Sequence, residues 1–159
     1  MIVYDNLAFP LKMRKVPKKE RREKAQYYID LVGLKGFENA YPRQLSGGMK
    51  QRVGIARAYA NDTDVLLMDE PFGALDAQTR YSMENEVLKM WEKERRTVIF
   101  VTNNLEEALY LGDRIILLTK SPCQVKQIYI PDMPKPRDNM EERFLALRKE
   151  VEENTDLSI

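Results

Sequence analysis

The stretch Val65-Leu66-Leu67-Met68-Asp69-Glu70-Pro71 combines four apolar residues with two carboxylates and a proline. An unbroken apolar run of this length indicates a buried parallel strand, and the polar residues after it lie at the carboxyl edge of the sheet. Open α/β sheets bind their ligands at this edge. We therefore expect Asp69 and Glu70 to handle a magnesium ion and a water molecule. The alternative, a solvated strand end, is disfavoured by the four apolar residues that precede them.

A second distinctive stretch, Leu45-Ser46-Gly47-Gly48-Met49-Lys50-Gln51-Arg52, lies shortly before the first. Ser46 is a suitable N-cap, and the residues after it predict a helix that ends at Asn61-Asp62. Glycines at a helix entrance let backbone N–H groups approach an anion, and the helix dipole favours negative charge there. The stretch is therefore a candidate phosphate-binding site. An ordinary capped helix with a glycine turn is the alternative.

Helical and strand patterns alternate through the rest of the chain. Apolar periodicity predicts a helix from Pro17 to Gly33 and another that is capped by Asp76. Further strands are expected at Thr97–Thr102 and Arg114–Thr119, with a short helix between them. Helices between successive strands imply parallel strands with crossover connections, so the predicted fold is an α/β sheet flanked by helices.

The two ends of the chain carry weaker patterns. Met1–Val16 contains Pro10 among mixed apolar and basic residues and is predicted to be irregular. After an edge strand or hairpin arm near Val125–Ile130 and a proline-rich linker, Asp138 and Glu141 resemble a capping box. This box would start a last helix whose apolar face contains four residues: Met140, Phe144, Leu147 and Val151. The tail after Glu153 is expected to fray.

Composition excludes several classes of protein. The chain has 159 residues, 26 Lys and Arg, 25 Asp and Glu, and a formal charge of +1, so no overall charge favours nucleic acid. The charged run Lys18–Lys24 alternates sign and is best read as a solvated helix face. With no histidine and a single cysteine, Cys123, neither a disulfide framework nor a zinc site is expected. No apolar run approaches the roughly 20 residues that cross a bilayer.

Together with Gly73-Ala74-Leu75-Asp76, these stretches resemble the ATP-binding subunit of an ABC transporter. Leu45–Arg52 resembles the family's LSGGQ signature, Val65–Pro71 its Walker B strand and Gly73–Asp76 its D-loop. The sequences near the Walker B strand and in the proline-rich segment are most similar to those of nitrate, sulfonate and taurine importers. The resemblance implies a single partial P-loop NTPase domain. Its parts would be the helical subdomain (residues 1–60), the C-terminal part of the α/β core (61–130) and a linker with a C-terminal helix (131–159).

The resemblance also implies roles for individual residues. Asp69 would hold the water shell of Mg²⁺, and Glu70 would act as the general base on the attacking water. The signature residues, Ser46, Gly47, Gly48 and Gln51, would face the γ-phosphate of ATP held by an opposing subunit. Asp76 would reach across the interface between the two subunits.

Two departures from the family pattern bear on catalysis. None of the seven glycines belongs to a Gly-x-x-x-x-Gly-Lys-Ser/Thr motif, so the Walker A loop is absent. The resemblance implies that this sequence begins after the family's Walker A loop and Q-loop. Asn103 stands where the family has its switch histidine. Asparagine can donate a hydrogen bond but cannot carry positive charge, so transition-state stabilisation should be weaker. Asn103 is alternatively a plain helix N-cap.

These departures lead to three functional hypotheses. The first is the C-terminal portion of an importer ATPase, not catalytically competent alone, that uses ATP and Mg²⁺ only in a completed composite site. The second is a non-catalytic interaction module, and the third a truncated gene product without a role. Expected partners are another copy or an intact ATPase subunit, and a permease at the cytoplasmic face of the membrane. Another copy or rearranged strand pairing would fill the gap left in the sheet by a missing Walker A strand.

Overall fold

The computed structural model describes residues 1–73 and 75–155, and these form two compact units, Met1–Ile99 and the residues from Phe100 onward. The elements, in chain order, are α1 (Val3–Met13), α2 (Lys18–Leu31), a 3₁₀ turn (Pro42–Gln44), α3 (Gly47–Ala60), β1 (Val65–Asp69), α4 (Ala77–Glu94), β2 (Thr97–Val101), α5 (Leu105–Leu111), β3 (Ile115–Leu118), β4 (Val125–Tyr129) and α6 (Glu142–Asn154). The fold class is α/β, as predicted. No helix within these described ranges is both long and apolar enough to cross a bilayer.

The first unit begins with a helix, so the prediction of an irregular segment over Met1–Val16 is wrong. Leu7 and Leu11 are buried on one face of α1, which packs against α2 and α3. Pro10 lies in the last turn of α1, where its missing N–H removes one hydrogen bond and leaves the preceding turns intact. Burial of the apolar face outweighs that loss.

The ends of α2 and α3 agree with the predictions. The chain leaves α2 through Gly33, whose φ of 68° lies in the left-handed region that glycine adopts without steric cost. Helix α3 begins after its N-cap Ser46 and ends at Asn61, with Asp62 also left-handed. The glycine after α2 and the serine before α3 are local signals that can be read directly from the sequence.

Strand β1 is found where it was predicted, but the expectation that it is buried on both faces is wrong. Leu66 and Met68 are buried, whereas Val65 is 49% and Leu67 75% exposed. Its one neighbour in the described sheets is β2, and α4 connects the two strands as the crossover helix of a parallel pair. One face of β1 is therefore buried, and the opposite face is open.

Strands β3 and β4 form a second sheet within the second unit. They pair antiparallel as a hairpin, with Ile115 opposite Tyr129, so the hairpin-arm prediction for β4 is confirmed. The expectation that β3 continues the parallel sheet is wrong, because the described strands form two separate two-stranded sheets. Neither sheet contains the rearranged pairing of β2 with β3 that would close a gap.

The core of the second unit lies between the hairpin, α5 and α6. Its buried residues are Leu109, Ile115, Tyr129, Met133, Phe144 and Val151. Helix α6 begins later than predicted: Glu141 is its N-cap, and Asp138 instead accepts a hydrogen bond from the Met140 amide at 2.9 Å. Met140, predicted on the apolar face, therefore precedes the helix and is 76% exposed. The end of the tail, residues 156–159, lies outside the described residues.

Replacing Phe144 tests the packing of this core. Phe144 is 1% exposed and its neighbour Leu145 is 43% exposed on the same helix. We expect Phe144→Ala to lower the free energy of unfolding of the second unit by about 3–5 kcal/mol and Leu145→Ala by less than about 1 kcal/mol. Urea denaturation followed by circular dichroism measures both. Equal losses in the two variants would contradict this packing.

Candidate functional site

The start of α3 presents free backbone donors to solvent. The Ser46 side chain accepts a hydrogen bond from the Met49 amide at 3.2 Å, which confirms its role as N-cap. Ser46 and Gly47 are exposed, and the first N–H groups of a helix have no partner within the helix. With the positive end of the helix dipole added, this exposed helix start can bind an anion.

Gly48 has a packing role that sequence reasoning missed. A Cβ atom built on Gly48 would lie 2.9 Å from the Thr79 Cγ2 atom, closer than carbon atoms approach. Glycine at this position therefore allows the start of α3 to pack closely against the start of α4. The sequence signal for this contact is the Gly-Gly pair, but the partner helix cannot be read from it.

Asp69 is the last residue of β1 and Glu70 follows it, so the acid pair lies at the end of the strand as predicted, and both residues are exposed. Glu70 has a φ of 42°, a left-handed conformation that is unusual for a residue with a side chain and costs of the order of 1–2 kcal/mol. The turn is closed by a hydrogen bond from the Gly73 amide to the Glu70 carbonyl at 3.2 Å. Backbone strain of this kind often occurs at functional sites.

Gln51 joins α3 to the turn after the acid pair. Its side-chain Nε2 donates a hydrogen bond to the Pro71 carbonyl, across twenty residues of sequence. The contact fixes the turn that follows Glu70 relative to α3, which we call the signature helix because it begins within Leu45–Arg52. The side-chain amide nitrogen, expected from the sequence to face a ligand, is thus engaged within the chain.

Asp76 caps α4, as predicted, and it does so through both carboxylate oxygens. The Thr79 amide donates to Oδ1 at 3.0 Å and the Thr79 hydroxyl donates to Oδ2 at 2.7 Å. The hydroxyl hydrogen bond, followed by the amide hydrogen bond, lowers the pKa of the exposed Asp76 carboxyl below its ordinary value. Within the predicted D-loop, Gly73–Asp76, residue Ala74 lies outside the described residues.

Thr79 connects these contacts into one arrangement. It packs on Gly48 and binds Asp76, so the starts of α3 and α4 are held together within the first unit. The hydrogen bond from Gln51 to the Pro71 carbonyl then connects the turn after β1 to α3. The structure therefore brings seven predicted residues onto directly connected elements of one unit: Ser46, Gly47, Gly48, Gln51, Asp69, Glu70 and Asp76. The spacing Asp76-x-x-Thr79 is a capping pattern that could have identified Thr79 from the sequence.

Asn103 is exposed and belongs to the second unit. The alternative that Asn103 is an N-cap is wrong, because the cap of α5 is Asn104, whose Oδ1 accepts hydrogen bonds from the Glu106 and Glu107 amides at 2.9 and 3.3 Å. The Asn103 side chain is therefore not used as the cap.

The described part of the chain contains no group of three or more Asp, Glu, His or Cys residues that could hold a metal ion by themselves. Asp69 and Glu70 are two carboxylates at the end of one strand. This donor set suits Mg²⁺, which binds proteins through one or two carboxylates and completes its octahedron with water and phosphate oxygens. It does not suit zinc, which prefers closed sites with nitrogen and sulfur ligands.

Comparison with known sequences places these motifs among ATP-binding proteins. The family model described as ABC transporter matches residues 1–73. The chain is 53% identical over 149 residues to an uncharacterized ABC transporter ATP-binding protein of Methanocaldococcus jannaschii, an alignment that covers 94% of this chain and 56% of the relative. It is 41% identical over 151 residues to an aliphatic sulfonates import ATP-binding protein of Bacillus cereus, which covers 95% of this chain and 59% of that relative.

A solved structure is similar to this chain as well. A dimeric structure of a bacterial ABC transporter cassette matches with a TM-score of 0.67 and 33% identity, over 87% of this chain and 58% of that chain. The chain therefore spans somewhat more than half the length of the relatives that it matches.

The charge on Asp76 makes the stability of α4 depend on pH. Because the folded-state pKa of Asp76 is lowered, its contribution is present above the unfolded-state pKa and is lost as the pH falls through the folded-state pKa. Asp76→Asn keeps the cap acceptor without the charge. We expect the stability advantage of wild type over Asp76→Asn to shrink between about pH 7 and about pH 3, measured by urea denaturation. An advantage that is independent of pH would contradict this role.

The left-handed conformation of Glu70 predicts the effect of glycine there. We expect Glu70→Gly to be more stable than Glu70→Ala by about 1 kcal/mol, because only glycine adopts this conformation without steric cost. The matched control is Ser82, an exposed residue in the middle of α4, where the glycine variant should be less stable than the alanine variant by about 1 kcal/mol. Thermal denaturation of the four variants measures both differences. The same sign at both positions would contradict the assignment.

Proposed function

Since this chain is related to the ATP-binding cassettes of ABC transporters, we propose that it contributes one half of a composite ATP site in an importer cassette. The observation that supports this proposal is the connected arrangement of an exposed helix start and an exposed acid pair on one unit. ATP would be held by an opposing cassette, and its hydrolysis would be coupled to solute uptake. Similarity to aliphatic sulfonate import proteins favours an importer of that type.

The signature helix would bind the γ-phosphate of that ATP. Ser46 keeps the helix start ordered through its bond to the Met49 amide, and the Gly47 and Gly48 amides are free of helical partners. These donors fit an anionic phosphate, because they point along the positive end of the helix dipole. The contact of Gly48 with Thr79 would hold the helix in place as the phosphate approaches.

The acid pair would serve the metal and the attacking water. Asp69 fits a Mg²⁺ ion that keeps several waters, and Glu70 would accept a proton from the attacking water as general base. When bound, Mg²⁺ neutralises negative charge on the phosphate oxygens. Asp76 would reach the opposing subunit. Gln51, bound to the Pro71 carbonyl, would act by keeping the turn after Glu70 aligned with the signature helix.

Asn103 would contact the γ-phosphate as a hydrogen-bond donor. An amide carries no positive charge, so this contact would stabilise a developing negative charge less than a protonated histidine does. The proposal therefore assigns the chain a role in assembling the site and not an ATPase activity of its own.

A second candidate function, a non-catalytic interaction module, is favoured by the open face of the small sheet. Val65, Leu67 and Ile99 are 49%, 75% and 51% exposed. Parallel sheets are normally covered on both faces, and exposed clusters of large apolar residues often mark interaction sites. An intact ATPase subunit or another copy of the chain would cover this face. In either candidate function the complete assembly would contact a permease at the cytoplasmic side of a membrane.

Substitutions at Ser46 distinguish the two functions. Asp and Asn are both good N-caps and nearly isosteric, so either variant should retain α3, but only Asp opposes a bound phosphate. We expect Ser46→Asp to weaken ATP-dependent pairing with the Bacillus cereus sulfonate import cassette by about tenfold or more, and Ser46→Asn to retain it. Analytical ultracentrifugation with ATP and Mg²⁺, and without nucleotide, measures the pairing.

The interaction module predicts a different pattern in the same experiment. Pairing would then occur without nucleotide, would be equal in Ser46→Asp and Ser46→Asn, and would be lost in Leu67→Lys, which places a charge on the open sheet face. Failure to pair under both conditions would overturn both functions. For the composite site, calorimetry should also detect no ATP binding to the isolated chain, and millimolar or tighter affinity that Asp69→Ala abolishes would contradict that expectation.

A further inference from the structure

Helix α5 is too short to be stable through its own hydrogen bonds. It contains 7 residues, Leu105–Leu111, whereas isolated helices shorter than about 12–15 residues are marginal in water. Its last four carbonyl groups have no partners within the helix. Its packing in the core, where Leu109 is fully buried, and the contacts at its two ends together decide where it lies.

At the C-terminal end, those contacts come from Arg137. The guanidinium Nη1 atom donates to the carbonyls of Leu109 at 2.6 Å, Gly112 at 2.8 Å and Tyr110 at 3.4 Å, and the side chain is buried. A cation at this end also complements the negative end of the helix dipole. Arg137, which lies in the proline-rich segment after β4, therefore binds the free carbonyl groups at the end of α5.

Arg137 is itself held in place by its own segment. Its Nε atom donates to the Met133 carbonyl at 3.3 Å, so the proline-rich linker folds around the guanidinium. Lys135, two residues earlier, forms an ion pair with Asp113 at 2.7 Å, next to the residue that ends α5. Burial lowers the pKa of Arg137, while the charge of Asp113 raises it. The linker is thus anchored to the end of α5 at two positions.

At the N-terminal end, α5 is continuous with the loop that contains Asn103. The Thr102 hydroxyl accepts the Asn104 amide at 3.0 Å and donates to the Glu107 carboxylate at 2.6 Å, and Glu107 is 2% exposed. Asn104 in turn caps the helix. The loop residues on both sides of Asn103 are therefore hydrogen-bonded to the first turn of α5, so a shift or loss of α5 displaces Asn103.

We propose that Arg137 is a positioning residue that sets the place of the Thr102–Asn104 loop through α5. The inference deepens the proposed function, and its consequence for nucleotide rests on the role given there to Asn103. The segment after β4 would thereby control the part of the chain that senses the γ-phosphate. The seven residues of α5 join the loop to the carbonyl groups that Arg137 binds.

Hydrogen exchange of the full chain, followed by nuclear magnetic resonance, tests the positioning directly. We expect Arg137→Met to raise the exchange rates of the Asn104, Glu106 and Glu107 amides by about tenfold or more, since several charge-assisted hydrogen bonds at the far end of α5 are lost. Arg137→Lys keeps the charge without the fork and should give a smaller increase. Amides of the β3–β4 hairpin should be unchanged.

The matched control is Arg148→Met, which removes another arginine that contacts α5. Arg148 pairs with Glu106 at 3.1 Å, and both side chains are largely exposed, so its loss should leave these amides unchanged. An increase spread evenly over α5, α6 and the hairpin would show that Arg137 stabilises the unit as a whole and would overturn the proposal. Unchanged exchange in Arg137→Met would overturn it as well.

The nucleotide consequence is tested by pairing with the Bacillus cereus sulfonate import cassette in ATP and Mg²⁺. We expect Arg137→Met and Asn103→Ala to weaken pairing by the same factor, and the double variant to be no weaker than either. Additive losses would overturn an action of Arg137 through Asn103. If Asn103→Ala alone leaves pairing unchanged, the role of Asn103 in the proposed function is wrong, and the exchange rates still decide whether Arg137 positions the loop.

Discussion

The close packing of α3 against α4 at Gly48 is the contact on which the candidate site depends. A side chain at Gly48 would collide with Thr79, and Thr79 is also the residue that Asp76 binds. The start of α3 therefore lies against the start of α4 and its cap Asp76. The hydrogen bond from Gln51 to the Pro71 carbonyl connects the turn after the acid pair to α3. Three stretches of the sequence, Leu45–Arg52, Val65–Pro71 and the turn that leads to Asp76, thus become parts of one connected structure.

The open face of the small sheet is an exposed apolar surface. Leu67 projects from β1 with 75% of its surface exposed, although its neighbours in sequence are buried. Strand β1 has one strand neighbour in the described sheets and is buried on one face only, so Val65 and Leu67 on the other face remain in contact with water. This surface and the exposed helix start at Ser46 both favour function through association. They differ in chemistry, since one is apolar and the other is a polar helix start with exposed backbone donors.

Two helix starts were predicted correctly from signals that act over a few residues. Ser46 and Asp76 were identified as caps because a capping side chain binds an amide three residues later. The prediction failed at α1, where Pro10 was given more weight than the spacing of the buried leucines. It failed again at Asn103, because adjacent asparagines have the same capping propensity and only the path of the backbone selects Asn104.

By itself, the sequence determined the fold class, the caps Ser46 and Asp76, and the place of the acid pair at the end of a strand, because these depend on periodicity and on contacts within one turn. The tertiary structure alone decided that Gln51 binds the turn after Glu70, that one face of β1 is open, and that Arg137 closes the end of α5. Such contacts join residues twenty or more positions apart. Their partners are selected by how the elements pack, and no local pattern records that packing.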